Sequence, residues 1–511
     1  MKKIFYILSI VGLLFTGGCS HMLDTDPTDR VSGTKVFEDS QNALAAVNGI
    51  YRLFNTYKWG SGWEDENGGL SAYILTFSLK GDDHLMDDAG SGWFFFDYAF
   101  DTQGDWTRKD GHQYQMWNFF YTIISNANYI IANEGELPGD PSLADYVIGQ
   151  AYAIRSMAYM WLVQIYAQSW DSDSPGVPIY TLPTMAGTTG EPRGTVAALF
   201  QQASDDIDRA IELLEQSGVA QQHRSHIDKY VAYGLKARHA MVEKDYPTAL
   251  TYAEKALEGR AEVTSFSNIR NVNDISKPNV LWGIAIQTDQ SMGGPDIYYH
   301  MDAGSGSTYS AARHLIASGL YDLIPQGDAR RAWWTEPLPQ SNWGEAGTKD
   351  GAKRSYCQTK LVFLDASAQT GDHILMRAEE MALIAAEAAC HSENWVDAKR
   401  YVSMVGEKRM DDYAVRLANR TNSKSYNSDV NAPPVTLMEE ILFQRRVELW
   451  GEVPRLFDIN RLGLGINRDY SGSNHTVKAV YPPYDPDLIL WIPQTEFDGN
   501  ENMDPSRDQN P

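Results

Sequence analysis

Two stretches of this chain, residues 229–257 and 375–403, share a pattern whose positions align at an offset of 149. Ala237, Ala240, Tyr246, Ala249 and Tyr252 in the first fall on Ala386, Ala389, Trp395, Ala398 and Tyr401 in the second. Small residues at helix contacts let two antiparallel helices approach closely. An aromatic in the turn, then alanine and another aromatic on the return helix, completes a helix pair that recurs. Residues 144–214 make a weaker third unit. The run 144–170 is apolar all round, as a buried helix is, and Thr195 is placed to cap a second helix that reaches Leu214. The repeat therefore predicts a mainly α scaffold of stacked helix pairs with a right-handed, interrupted course.

Each pair is tetratricopeptide-like, and a different kind of helix follows them. In residues 437–461, Leu437, Ile441, Leu442, Leu449, Val453, Leu456 and Phe457 recur at helical spacing, which predicts one buried face. Arg445–Glu448, Glu452–Arg455, Arg455–Asp458 and Asp458–Arg461 are opposite charges three residues apart, within reach along a helix. Pro454 ends or kinks the helix between them. Two bland or sharp alternatives are a solvated helix with ordinary ion pairs and a set of catalytic carboxylates. A general acid needs a raised pKa, whereas an arginine three residues away lowers it. The charges read as architecture. Residues 404–436, polar and rich in Asn and Ser, read as a loop leading into this helix.

The N-terminus carries an address. Met1, Lys2 and Lys3 precede the apolar run 4–15, too short to span a bilayer and suited to a signal peptide. Thr16, Gly17 and Gly18 then lead to Cys19, as at a bacterial lipoprotein cleavage site with Cys19 acylated. Acyl chains contribute about 0.8 kcal/mol per buried CH₂, enough in combination to hold a soluble body at a membrane. A formal net charge of −24 argues against nucleic acid and anionic ligands. Cys357 and Cys390, the remaining cysteines, are too few for a disulfide scaffold or a cysteine metal site. Asp82, Asp83, Asp87 and Asp88 with His84 lack EF-hand order, so no metal is expected there.

Aromatic usage is the anomaly, with 14 Trp and 28 Tyr, many of them in polar, Gly-rich stretches where helices are disfavoured. Rigid rings on polar loops suit flat ligands that have an apolar face and a rim of hydroxyls, as sugars do. Trp63, Trp93, Trp106, Tyr298, Trp334 and Trp343 are the candidate ligand-binding residues on that ground. The alternative for any one of them is a core anchor that pins a long loop.

The segment 437–461 resembles the C-terminal signature of SusD/RagB lipoproteins. Ile441, Arg445, Arg446, Glu448, Leu449, Glu452, Arg455, Asp458 and Arg461 match in order, with Gln444 and Val453 departing from the usual Glu and Gly. Cys19, Leu23, Asp24 and Pro27 are similar to the family's mature start, and 46–51 to its first helix. Asp82 to Leu85 resembles its short acidic motif, and Trp117, Tyr121, Ile124, Asn126 and Asn128 its next helix. Arg155, Tyr159, Leu162 and Tyr166 with Gly176, Val177 and Pro178, and the ending Ile492, Pro493, Glu496, Asn502 and 509–511, complete the likeness. The resemblance implies a SusD-like fold: a TPR-like scaffold with a loop-rich variable region. It divides the chain into a signal peptide (1–18), a lipidated tether (19–35), an N-terminal region with the first TPR-like units (36–260), a variable ligand-binding region (261–370) and a C-terminal region (371–511). It implies a surface-exposed, lipid-anchored outer-membrane protein that binds oligo- or polysaccharide and serves a SusC-like TonB-dependent transporter. No catalytic residue, cofactor or metal is expected. The alternatives are a peptide or other nutrient as cargo, a TPR protein-interaction scaffold, and a glycan-processing enzyme, whose two carboxylates would need separate environments.

Overall fold

The computed structural model describes residues 36–511 except 63, 91, 103–104, 186, 260–261, 264–271, 303–312 and 340–354. Cys19 and the whole predicted signal and tether lie outside the described residues. Helices dominate. Those that position the site are α1 (Ser40–Leu53), α2 (Leu70–Leu79), the one-turn α3 (Phe95–Tyr98), α4 (His112–Ile131), α5 (Pro141–Tyr166), α6 (Val196–Ser217), α7 (Lys229–Glu243), α8 (Tyr246–Glu258), α9 (Ala378–His391), α10 (Trp395–Gly406), α11 (Leu437–Glu448) and α12 (Arg455–Arg461). The strands among the described residues form only two-stranded antiparallel sheets. Two of these tie distant segments: His84–Met86 to His314–Ile316, and Val280–Ile284 to His373–Arg377. The mainly α expectation is borne out.

The repeat is visible in the backbone itself. α7–α8 and α9–α10 are the predicted hairpins, and Ala237, Ala249, Ala386, Ala389 and Ala398 are wholly buried at their contacts. Each turn is built the same way. Lys244 and Glu393 occupy the left-handed region (φ +62° and +59°), and the next residues, Asp245 and Asn394, share φ −84° and ψ 76° and cap the return helix. A side-chain oxygen there accepts an otherwise orphaned helix N–H, from Thr248 in one pair and Asp397 in the other. Tyr246 then stacks on His391 across the pairs, with ring centroids 3.7 Å apart. Thr195 caps α6 as predicted. The 404–436 stretch is less loop-like than its composition indicates: α10 runs to Gly406, and a short helix, Tyr413–Ala418, buries Tyr413 and Leu417.

α11 explains the charged stretch. Its N-terminus is closed by a capping box between Thr436 and Glu439. Leu437, Met438 and Ile441 enter the core formed by the helix pairs, while Phe443, Val447 and, just beyond, Trp450 enter a second core with α2 and the 297–334 region. With apolar residues on two sides, the charged residues between them are buried too. Of the four predicted i,i+3 ion pairs only Asp458–Arg461 forms, at 2.7 Å. The other charges reach across the fold: Arg445 to Asp458, Arg446 to Asp83, Arg455 to Asp82, and Glu448 to Arg330, Arg377 and Arg409. Pro454 breaks the chain between α11 and α12 as expected. None of the described helices is long and apolar enough to cross a membrane.

Candidate functional site

The six candidate rings fall in different places. Trp63 and Trp343 lie outside the described residues. Tyr298 is 3% exposed, and its hydroxyl donates to the Asp372 carbonyl at 2.5 Å. Trp334 is also 3% exposed, edge-on to Trp450 at 5.6 Å. Both rings have core on either side, which leaves no face for a sugar, so they act as the anchors weighed above as the alternative. Trp106 is half-buried against Trp491 and Phe497 of the C-terminal tail. Trp93 is half-buried at the edge of the second core, edge-on to His300 at 5.6 Å.

Trp93 begins a segment with unusual local geometry. Gly92 has φ +93°, and a Cβ there would lie 2.9 Å from the Phe96 ring. Phe94 and Phe100, at φ +59° and +61°, are left-handed without being glycine, a conformation held only when the surroundings over-determine it. Between them α3 turns Phe94, Asp97 and Tyr98 inward and Phe96 outward. Phe96, 43% exposed, is the most exposed phenylalanine, tyrosine or tryptophan among the described residues. Composition alone missed it, since nothing in a run of three phenylalanines says which one faces out. The one-turn helix is the signal: positions 94, 97 and 98 share one side and 96 the other. Phe94 also meets His300 edge-on at 5.0 Å, and Tyr299, the neighbour of His300, is half-buried against the same core. Trp93 and Tyr299 thus form an aromatic edge of the second core, and Phe96 faces outward from the same segment as Trp93.

Beneath this edge lies a buried ionisable cluster. His112, the first residue of α4, places Nδ1 2.6 Å from Asp97 Oδ2 and Nε2 3.6 Å from Glu66 Oε2. Glu66 feels the backbone N–H of Phe94, and Asp97 accepts from Thr102 Oγ1 at 3.1 Å. Burial pushes the Glu66 carboxyl up to about 8. Burial would also raise Asp97, but His112 beside it overcomes that and holds it below the usual carboxylate range. Burial opposes charge on His112, yet Asp97 and Glu66 raise it. Among the described residues this is the one gathering of three possible metal ligands. A single cation needs both carboxylates on the same side of one ring nitrogen, and here they meet opposite nitrogens. That geometry suits a proton held between groups. Exposures of 2%, 0% and 0% for Glu66, Asp97 and His112 keep substrate away, so the cluster supports neighbouring structure.

The signature-helix carboxylates are no better placed for acid–base chemistry. Burial would raise Glu448, but Arg409, Arg377 and Arg330 hold it far below the usual range. Arg445 and Arg461 do the same for Asp458. Asp82 and Asp83, the acidic motif, spend their charges on Arg455 and Arg446.

Two family models match this chain: "SusD-like_3: Starch-binding associating with outer membrane" over residues 83–241, and "SusD_RagB: SusD family" over residues 335–511. Together they take in most of the acidic motif and of α7, the α9–α10 pair, the signature helix and the tail. The chain belongs to the SusD/RagB family. Among its relatives is the SusD-like protein P2 of Formosa agariphila, 24% identical over 99% of both chains. A SusD-like carbohydrate binding protein from Bacteroides vulgatus has the same fold, with a TM-score of 0.75 at 23% identity over 91% of this chain and 98% of the other. A structure described as a laminarin binding SusD-like protein aligns with a TM-score of 0.65 at 17% identity, over 93% of this chain and all of the other. SusD/RagB proteins are associated with the outer membrane, in keeping with the first model's description.

Proposed function

We propose that this SusD/RagB protein is a non-catalytic, cell-surface glycan-binding lipoprotein. It captures oligo- or polysaccharide on its aromatic edge and passes it to a SusC-like TonB-dependent transporter. Anchoring runs through lipid on Cys19. The observation that carries the reading is the fixed, outward display of Phe96 beside Trp93 in a family described as starch-binding. Trp63 and Trp343 remain proposed contributors, and Trp106 a contributor from a separate patch. A rigid ring at a binding surface loses little conformational freedom on contact, which is why aromatic anchors dominate such interfaces.

Affinity electrophoresis in gels containing laminarin, starch or other polysaccharides tests this. Retardation by at least one glycan is expected, weakened about tenfold (about 1.4 kcal/mol) in Trp93→Ala or Phe96→Ala. Retention equal to wild type in both variants removes the aromatic edge from the binding site. Release of reducing sugar from the retained glycan would replace the binding reading with an enzymatic one. Palmitate labelling in the producing bacterium tests the anchor. Label is expected on the wild type and none on Cys19→Ala, which should leave the membrane fraction; membrane retention of the variant overturns the anchor.

A further inference from the structure

We propose that Glu66, His112 and Asp97 are positioning residues for the aromatic segment 93–100, a buried latch that holds its left-handed turns closed. The inference rests on the preceding reading only for the purpose of the display, since the latch itself is argued from geometry. The segment is tied to the latch at two points, the Phe94 N–H on Glu66 and the Asp97 carboxylate on His112. Both ties start from parts of the chain outside the segment, Glu66 ahead of α2 and His112 at the head of α4. They close over a turn that opposes them, because Phe94 and Phe100 are left-handed L-residues. A conformation of that kind relaxes when its restraints go.

The charged surroundings are mixed. Lys80 lies buried with its Nζ 4.6 Å from the Phe100 ring centroid, and it feels Asp97 on one side and Arg468 and Asp487 on the other. Asp65 adjoins Glu66, and Thr102 closes the far side of Asp97. In the closed segment Glu66 keeps its proton up to about pH 8, while in an opened, hydrated segment it returns to its ordinary value of 4.5. His112 works in the same direction, since its folded value also lies above its free one. Opening therefore expels a proton from Glu66, and rising pH favours opening until about pH 8. Lys80 acts oppositely only from about pH 8 upward, where its lowered value lies.

Hydrogen exchange of the backbone amides of 94–100 in the mature protein, each rate divided by its intrinsic rate, reads this directly. Between pH 6 and 8 the protection should fall by about tenfold per pH unit. Glu66→Gln keeps the side-chain shape and an oxygen toward the Phe94 N–H but cannot ionise. It should fold as wild type and lose that portion of the slope. His112→Gln should lower protection at every pH. A purely structural role would leave the wild-type protection independent of pH, and that result, or a Glu66→Gln slope equal to wild type, overturns the latch. The two readings fail separately. A flat slope with binding lost in Trp93→Ala removes the latch and keeps the platform. A steep slope with binding intact in Trp93→Ala and Phe96→Ala keeps the latch and removes the platform.

Discussion

Glu448→Gln is expected to cost this protein about 3–5 kcal/mol of stability, the usual cost of breaking a fully buried ion cluster on one side. Glu448 is completely buried, and its carboxylate faces Arg409 at 2.8 Å, Arg377 at 3.2 Å and Arg330 at 3.3 Å. These guanidiniums are themselves 0–3% exposed. Asp328, Glu379 and Glu452 share in their neutralisation, but among the described residues Glu448 is the one carboxylate within ion-pair range of all three. Glutamine preserves shape and removes the charge, leaving buried cations short of a counter-charge. Domains are stable by only about 5–15 kcal/mol, so the loss takes a large part of the total. The comparison is Lys424→Ala, which breaks the exposed pair to Glu393 and should change stability by less than about 1 kcal/mol. Urea denaturation followed by tryptophan fluorescence measures both. A Glu448→Gln midpoint within error of wild type would show that the signature cluster does not hold the fold.

The same cluster shows what a sequence can and cannot disclose. Helix periodicity, the Pro454 break and the alanine and aromatic positions of the repeat depend on neighbours a few residues apart, and all were legible. Even the matching turns at Lys244 and Glu393 follow from a local pattern. The partners of the charges were not legible. Asp83 lies 363 residues before Arg446, and nothing local to either names the other. Counting opposite signs three apart therefore found pairs that mostly do not form. The burial of loop rings was not legible for a related reason. Tyr298 and Trp334 sit in polar sequence, yet each packs against residues remote in the chain, Phe363 and Trp450. Burial of a loop ring depends on what arrives from elsewhere, so composition does not tell inward rings from outward ones.

Acid should unfold the protein before the carboxylates of its signature helix are protonated. His84, His239, His300, His314 and His475 are each 5% exposed or less. Burial is the largest cause holding all five imidazoles below their ordinary value of 6.5: to about 3 for His239, His314 and His475, to about 4 for His300, and well below 6.5 for His84. Several reinforce one another. His84 Nε2 meets His314 Nδ1 at 3.0 Å, so one proton between them excludes a second. In the unfolded chain all five charge as pH drops through 6.5, while the folded chain resists until its own lower values. The unfolded state binds more protons throughout that window. The stability these groups contribute is therefore complete above 6.5 and lost as pH falls toward 4. Glu66, Glu243 and His112, with raised values, gain stability over part of the same descent, but His226, also buried and lowered to about 4, joins the five on the losing side. Each of His239, His300, His314 and His475, lowered to about 3 or 4, costs about 3 kcal/mol by pH 4, and two or three such costs already rival the stability of a typical domain. Circular dichroism against pH should show a cooperative loss of helix between pH 6.5 and 4, before Glu448 and Asp458 can be protonated. His314→Asn keeps a polar atom near the Nδ1 position without the titration, and should move the midpoint to lower pH. A protein that keeps its helices to pH 3, or a His314→Asn midpoint above that of wild type, would mean that these imidazoles find water or partners on charging and that the two-core interior is less closed than its geometry indicates.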